Sequence, residues 1–344
     1  MTRPAPILKE DDFFVANIKV PPCSVHTRQH SLTIAGMVSD LSSLVCRRTN
    51  FPSILQMGME LKELGTTGAK VPEVGIGTYR YEAGPGLLRK AVELGAFLID
   101  TAESYNNEEV VGQAIQGIRN RVFVATKTRH WKYAEVLRSA EGSLRRLGID
   151  SIDLYQLHWP NAAVPIAETM AAMETLVDQG KVRFLGVSNF SVPELKKAQA
   201  VMRKYQIVSN QVRYSLVDRS IQLDVLPYCQ RNHVTVIAHT PLAEGLRNIL
   251  SFDSQDVLRQ LAGATGKTKA QIALNWCVSQ PGVVTIPKTH SLEHLSENCG
   301  SSGWRLTEEQ MAMLDKGVHF RRRSRFEARF RRFARNTLQR LGRP

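Results

Sequence analysis

EVGIGTYRYEAGPG, residues 73–86, starts as a strand and runs into a glycine-containing turn, and the reading of that turn decides the fold. A short apolar run ending in glycine suits the first strand of an α/β protein. An open doubly wound sheet would follow it with GxGxxG leading directly into a helix, where backbone amides cradle a phosphate group. This stretch lacks that spacing. It favours the other arrangement of parallel strands, a (β/α)8 TIM barrel in a single domain.

The rest of the chain agrees. From about residue 70, short apolar or β-branched runs alternate with longer amphipathic segments, the pattern of repeated βα units. Strands are expected at EVGIG (73–77), AFLID (96–100), VFVAT (122–126), DLYQLH (153–158), FLGVS (184–188), IVSNQ (207–211), TVIAH (235–239) and VVTIP (283–287). Between them lie helical segments such as YAEVLRSAEGSLRRLG (133–148), with Leu137, Ala140, Leu144 and Leu147 on one face and Gly148 as the stop. Eight such units across some 250 residues match the size of the barrel.

Composition bounds the function. With 344 residues and 43% apolar content the chain can bury a substantial core. The apolar-looking stretch SLTIAGMVSDLSSLVC (31–46) carries Asp40 and several serines and falls short of a membrane span. Glu10, Asp11 and Asp12 stand where a targeting peptide would be basic or acid-poor, so a cytoplasmic location is expected. Cys23, Cys46, Cys229, Cys277 and Cys299 show no CxxC spacing and read as inert thiols in a reduced compartment. The net charge of +13 suggests nucleic acid until it is located: residues 321–344 hold ten arginines against one glutamate, and residues 57–320 are nearly neutral.

In a barrel the chemistry sits where strands end, at the C-terminal face. Polar residues stand at nearly every one of those positions: Asp100, Lys127, His158, Ser188 with Asn189, Gln211, His239 and Lys288. Asp100 and Tyr105 are five residues apart, a spacing that neither a helix nor a strand places on one side. Bringing them together requires a bend after the second strand.

These residues, their order and their flanking segments resemble the aldo-keto reductase superfamily. The likeness runs from about Met59 to Asp315 and is carried by GAFLIDTAESYNNEEVVG, LYQLHWP, GKVRFLGVSNF, NQVRYSLVDR, AQIALNW and IPKTHSLEHLSEN. It implies an enzyme that reduces aldehydes and ketones of small molecules with a nicotinamide cofactor, with NADPH expected and NADH the alternative. By motif position Tyr105 is the general acid, Lys127 the cation that stabilises its phenolate, Asp100 the anchor of that lysine, and His158 the group that orients the carbonyl. A free phenol, with a pKa near 10, is a reluctant acid at neutral pH, so a neighbouring ammonium is expected to make it more acidic.

The same resemblance assigns Ser188, Asn189 and Gln211 to the nicotinamide carboxamide, and Gly77, Thr78 and Tyr79 to the flank of the ring. His239, with Thr240, Pro241 and Leu242 beside it, takes the place of an aromatic that stacks under the ring. Being titratable, His239 is expected to weaken cofactor binding or make it depend on pH. Lys288 and Thr289 match positions that grip the adenosine 2′-phosphate, while His294 replaces an arginine, which should reduce discrimination against NADH. Glu297 and Asn298 match adenine contacts. Tyr79, Trp131 and Trp159 are candidate walls for the substrate. Loops TRHWKYAEV (128–136) and LAEGLRNILSFDSQ (242–255) should form the mouth, the latter too short for a clasp over the cofactor. The alternative is a nicotinamide-binding regulatory subunit with little catalysis.

The ends of the chain fall outside the likeness. Residues 1–56 read as a disordered extension, or as sequence upstream of a start at Met57 or Met59, leaving a barrel over 57–318. Residues 319–344 form a basic amphipathic segment, with Phe326, Phe330, Phe333, Leu338 and Leu341 at helical spacing. Such a tail can fold over the barrel or meet an anionic membrane, an acidic partner or nucleic acid. A monomer is expected, with a small carbonyl substrate and no metal.

Overall fold

A computed structural model describes residues 58–321. The expected N-terminal extension and the tail from residue 322 onward lie outside the described residues. A hairpin comes first, β1 (Leu61–Glu63) pairing antiparallel with β2 (Lys70–Pro72). Eight parallel strands follow: β3 (Ile76–Gly77), β4 (Leu98–Asp100), β5 (Phe123–Thr128), β6 (Ile152–Leu157), β7 (Val182–Ser188), β8 (Ile207–Arg213), β9 (Thr235–His239) and β10 (Val283–Thr285). Each pairs with its neighbour in sequence order from β3 to β10.

The ring closes between first and last strands. Val74 bridges Thr285 in parallel, and the amides of Gly75 and Gly77 donate to the carbonyls of Thr285 and Pro287 at 2.8 and 3.2 Å. Gly77 is required at this seam, because a Cβ there would stand 2.8 Å from the Ile286 carbonyl oxygen. All eight expected strands therefore exist at their expected places, and the closed barrel stands in place of an open sheet.

Helices alternate with the strands: α1 (Gly84–Glu93), α2 (Glu108–Ile115), α3 (Tyr133–Leu147), α4 (Ile166–Asp178), α5 (Val192–Val201), α6 (Val225–Arg231), α7 (Leu246–Leu250), α8 (Val257–Thr265), α9 (Lys269–Val278), α10 (Leu292–Cys299) and α11 (Glu308–Gly317). Their ends are set locally. Capping boxes start α5 (Ser191 with Glu194), α9 (Thr268 with Gln271) and α11 (Thr307 with Gln310), satisfying amides that have no partner within the helix. α3 stops at Gly148, whose φ of 64° is left-handed. Its buried face is Val136, Ala140, Ser143 and Leu147, with Leu137 and Leu144 half-buried on the flanks, so the expected stripe is rotated by about one position.

The β1–β2 hairpin was not legible in the sequence. It lies against the N-terminal ends of the later strands, where the Gly65 amide donates to Thr235 Oγ1 at 2.8 Å and Lys62 Nζ donates to the carbonyls of Val278 and, at 2.7 Å, Val283. Leu64 is buried beneath it. Beside it Glu73, wholly buried, accepts from Ser302 Oγ at 2.6 Å and from Arg305 at 3.0 and 2.6 Å. A buried carboxylate needs such partners, since an isolated charge in the interior is costly. Among the described residues no helix is long and apolar enough to cross a membrane.

Candidate active site

At the opposite, C-terminal face the loops enclose a cavity of about 1330 Å³. The bend that the sequence demanded after β4 is a single 3-10 turn, Glu103–Tyr105, closed by Asn106 with a left-handed φ of 54°. It turns the chain back so that Tyr105 faces the cavity above Asp100. Asn107 holds the turn from behind: its Nδ2 donates to the Thr78 carbonyl at 2.7 Å and its Oδ1 accepts from the Thr101 hydroxyl at 2.8 Å.

Beneath Tyr105 lies a buried ion pair. Lys127 Nζ stands 2.6 Å from Asp100 Oδ1, donates to the Thr101 carbonyl at 2.7 Å, and sits 4.9 Å from the centroid of the Tyr105 ring. Asp100 Oδ2 accepts from Gln211 Nε2 at 2.7 Å and from Gln156 Nε2 at 3.3 Å. Burial alone would lower the Lys127 pKa, but the Asp100 carboxylate and the Tyr105 hydroxyl outweigh it and raise the value, so the ammonium is held charged.

At Tyr105 the expected effect of Lys127 is present but does not set the net direction. Burial pushes the phenol's pKa above its usual value, and the Lys127 ammonium opposes this by charge and hydrogen bonding without reversing it. The lysine thus limits the cost of phenolate formation inside the protein rather than making the phenol more acidic than in water. The phenol stays protonated, which is the state a proton donor must start from.

His158 lies next to it, the two rings 5.7 Å apart and nearly perpendicular. Burial first, then the charges of Lys127, Arg129 and His239, push the His158 pKa down to about 3, so the imidazole is neutral. Its Nδ1 is buried without a hydrogen-bond partner among the described residues. A neutral ring beside a protonated phenol divides the work: one group donates the proton and the other orients by hydrogen bonding.

The remaining predicted residues divide into those that line the cavity and those that do not. Gly77, Tyr79, Trp131, Trp159, Ser188, Asn189, Gln211, His239, Thr240, Pro241, Leu242 and Lys288 line it. Asn189 adopts a left-handed φ of 63° and donates from Nδ2 to the His158 carbonyl at 3.1 Å and to Ser188 Oγ at 2.9 Å, which fixes the amide wall. Trp131 Nε1 donates to the Trp159 carbonyl at 2.9 Å, locking two candidate walls together. Thr78 is buried beneath the cavity, bonded to Asp100 and Asn107. Thr289 is buried with its hydroxyl on Ser291, His294 is exposed in the first turn of α10, Glu297 is half-buried and Asn298 is buried.

His239 bears on a second expectation. Its Nδ1 lies 2.9 Å from Thr240 Oγ1, and burial, followed by the charges of Lys127 and Arg213, pushes its pKa down to about 3. So low a value keeps the free ring neutral between pH 6 and 8, which speaks against the expected pH dependence of binding there. For the three described thiols the expected inertness agrees with burial: Cys229 and Cys299 are pushed up to about 12 and Cys277 is raised further, while Cys23 and Cys46 lie outside the described residues.

Sequence reasoning missed Arg80, Ser104 and Arg213, and did not single out Arg129 and Glu244 within the two loops expected at the mouth; all five line the cavity. Arg213 joins Asp218 at 2.9 Å and Glu244 at 2.8 Å, tying the loop after β9 to the end of β8. Asn107 carried a usable signal: of two adjacent asparagines ending a tight turn, one takes the left-handed position and the other is free to pin the loop.

The aldo/keto reductase family model matches residues 68–318. Methylglyoxal reductase YeaE of Escherichia coli is 37% identical over 273 residues, which cover 75% of this chain and 95% of that protein. Aldo-keto reductase YhdN of Bacillus subtilis is 33% identical, with 73% and 91% covered. A crystal structure of an aldo-keto reductase from Klebsiella pneumoniae in complex with NADPH has a TM-score of 0.71 and 36% identity, over 77% of this chain and 97% of its own. With its family model matched across the barrel, and Asp100, Tyr105, Lys127 and His158 gathered at one rim, the chain belongs to the aldo/keto reductase family.

Proposed function

We propose that this protein reduces aldehydes or ketones of small molecules to alcohols with NADPH, Tyr105 acting as the proton donor. The observation that carries this reading is the buried Asp100–Lys127 pair under a protonated Tyr105, beside a neutral His158 that faces the same cavity.

The residues present fit a nicotinamide dinucleotide. The cavity of about 1330 Å³ exceeds the roughly 300–1,000 Å³ of a typical small-ligand site, leaving room for a substrate beside a dinucleotide. Ser188, Asn189 and Gln211 offer a hydroxyl and two amides on one wall, suited to a carboxamide, and His239 offers a flat neutral ring. Lys288 is exposed at the rim and pairs with no carboxylate among the described residues, leaving its charge for a phosphate. When bound, NADPH supplies the hydride for the carbonyl carbon.

The chain's own part follows from geometry. His158 donates a hydrogen bond to the carbonyl oxygen and sets its direction toward Tyr105. Tyr105 gives its proton to that oxygen, so hydride and proton together convert C=O into CH–OH. Lys127 meets the phenolate left behind, and Asp100, held by Gln211 and Gln156, keeps Lys127 in place.

Loss of NADPH absorbance against a panel of aldehydes, ketones and dicarbonyls, with NADH in parallel, tests the proposal. Tyr105→Phe should lower turnover by about 10³-fold, in the usual range for a lost general acid. Full activity of that variant on every carbonyl would overturn the assignment.

A further inference from the structure

The cavity rim carries cations that take no part in the proton transfer itself. Arg80, Arg129 and Lys288 all line it, and none pairs with a carboxylate among the described residues. The two acidic lining residues are already engaged: Asp100 by Lys127 and Gln211, Glu244 by Arg213.

Topology separates these cations into two groups. β3 and β10 are neighbours at the barrel seam, so Arg80, which follows β3, and Lys288, which follows β10, stand on adjacent loops. Those loops are joined directly, with the Tyr81 and His290 rings stacked at 5.9 Å. Both cations therefore belong to the side where a cofactor phosphate would lie. Arg129 follows β5, three strands round the ring from β10. Its neighbours are the tryptophan walls and the reacting groups: Trp131 in its own loop, then His158 and Trp159 after β6, and its charge acts on His158.

The backbone of Arg129 is fixed while its guanidinium is left over. Glu103 Oε1 accepts from the Arg129 amide at 2.6 Å and from Thr128 Oγ1 at 3.2 Å, and Ser139 Oγ donates to its other oxygen. The Glu103 carboxylate is thereby saturated by groups other than the Arg129 side chain. A planar cation on the cavity rim, its charge felt at His158 and matched to no internal anion, suits bidentate recognition of a charged group on the substrate.

We propose that Arg129 is a specificity residue that selects small carbonyl compounds bearing an anionic group, a carboxylate or a phosphate. This rests on the reductase reading and narrows its substrate class.

The test compares matched pairs in the full-length protein: 4-oxobutanoate against butanal, and glyceraldehyde 3-phosphate against glyceraldehyde. In wild type, kcat/KM should favour the charged member, by about tenfold for one charge-assisted pair at a partly exposed site, and added salt should shrink the ratio. Arg129→Met should abolish that preference, and the pair that loses more identifies carboxylate or phosphate as the source. Arg80→Gln should change NADPH affinity and leave the ratio intact. An unchanged ratio in Arg129→Met, or a ratio that follows Arg80, overturns the assignment. Quenching of tryptophan fluorescence by the same four compounds, with NADP+ present, reads the charge preference without chemistry. Arg129-dependent quenching with no turnover would refute the reductase reading alone; turnover of both members with no Arg129 dependence would refute the specificity alone.

Discussion

Replacing Lys127 by methionine removes the ammonium while keeping much of the side chain's volume. Nζ stands 4.9 Å from the Tyr105 ring centroid. At that distance a unit charge at an effective dielectric near 20 is worth about 3 kcal/mol to a phenolate, or about two pKa units. If the transition state carries most of that charge, the chemical step slows about 10²-fold. Asp100, left without its counter-ion, repels the same phenolate and takes the loss toward 10³-fold. The fold suffers too, because breaking a buried pair costs about 3–5 kcal/mol. The lower end applies, since Gln211 and Gln156 still donate to Asp100.

The double variant Asp100→Asn with Lys127→Met separates the two effects. It leaves no buried unpaired charge and should recover much of the stability, but none of the rate. The assay is single-turnover NADPH oxidation with a reactive aldehyde from pH 6 to 12, because burial lifts the phenol above its usual value near 10. An acid catalyst works while protonated, so the rate is flat at low pH and falls as pH rises through the phenol's pKa. Without Lys127 that pKa rises further, so the plateau should drop while the alkaline limb moves to higher pH. A plateau within threefold of wild type, or a limb that moves to lower pH, refutes the reasoning.

His158 and His239 supply a stability prediction. Both are pushed from 6.5 to about 3 in the fold, so below pH 6.5 the unfolded chain binds protons that the folded one refuses. Stability is lost as pH falls from 6.5 toward 3, each histidine contributing at most about 2 kcal/mol between pH 6.5 and 5. Urea melts of His239→Gln should show a shallower acid limb; an unchanged slope counts against burial as the cause. NADPH affinity of the His239→Tyr variant, followed from pH 6 to 8, should differ from wild type by a constant factor at all pH values. His294→Arg should raise the preference for NADPH over NADH by about tenfold through a permanent, bidentate cation, and equal Kd ratios in titrations of the two proteins would contradict that.

The barrel and its rim were legible because both obey short-range rules. Strand ends in a parallel barrel are where polar residues survive, and Asp100, Lys127, His158 and Gln211 stand there in sequence as in space. The spacing of Asp100 and Tyr105 even foretold the bend between them. What escaped has identifiable causes. The strands at Leu61–Glu63 and Lys70–Pro72 are three residues each, too short to show a period, and gain their place only from the barrel end they cover. Arg129 reaches the cavity through loop geometry, which residue identity does not encode, and Arg213 ends β8 just past the residues the strand motif singled out. The net direction at Tyr105 depended on burial outweighing a neighbouring charge, a balance set by how much protein surrounds the hydroxyl. The same burial silenced His239, which in sequence looked like a pH sensor.

The hairpin against the strand origins, with Glu73 and Arg305 beside it, covers that end of the barrel among the described residues. The cavity lies at the opposite rim, where the strands end. In the proposed reaction the dinucleotide must place its ring against the amide wall before a carbonyl can settle above it, and the alcohol must depart before the spent carrier can follow. Kinetics should therefore be sequential and ordered, whatever carbonyl the cavity receives.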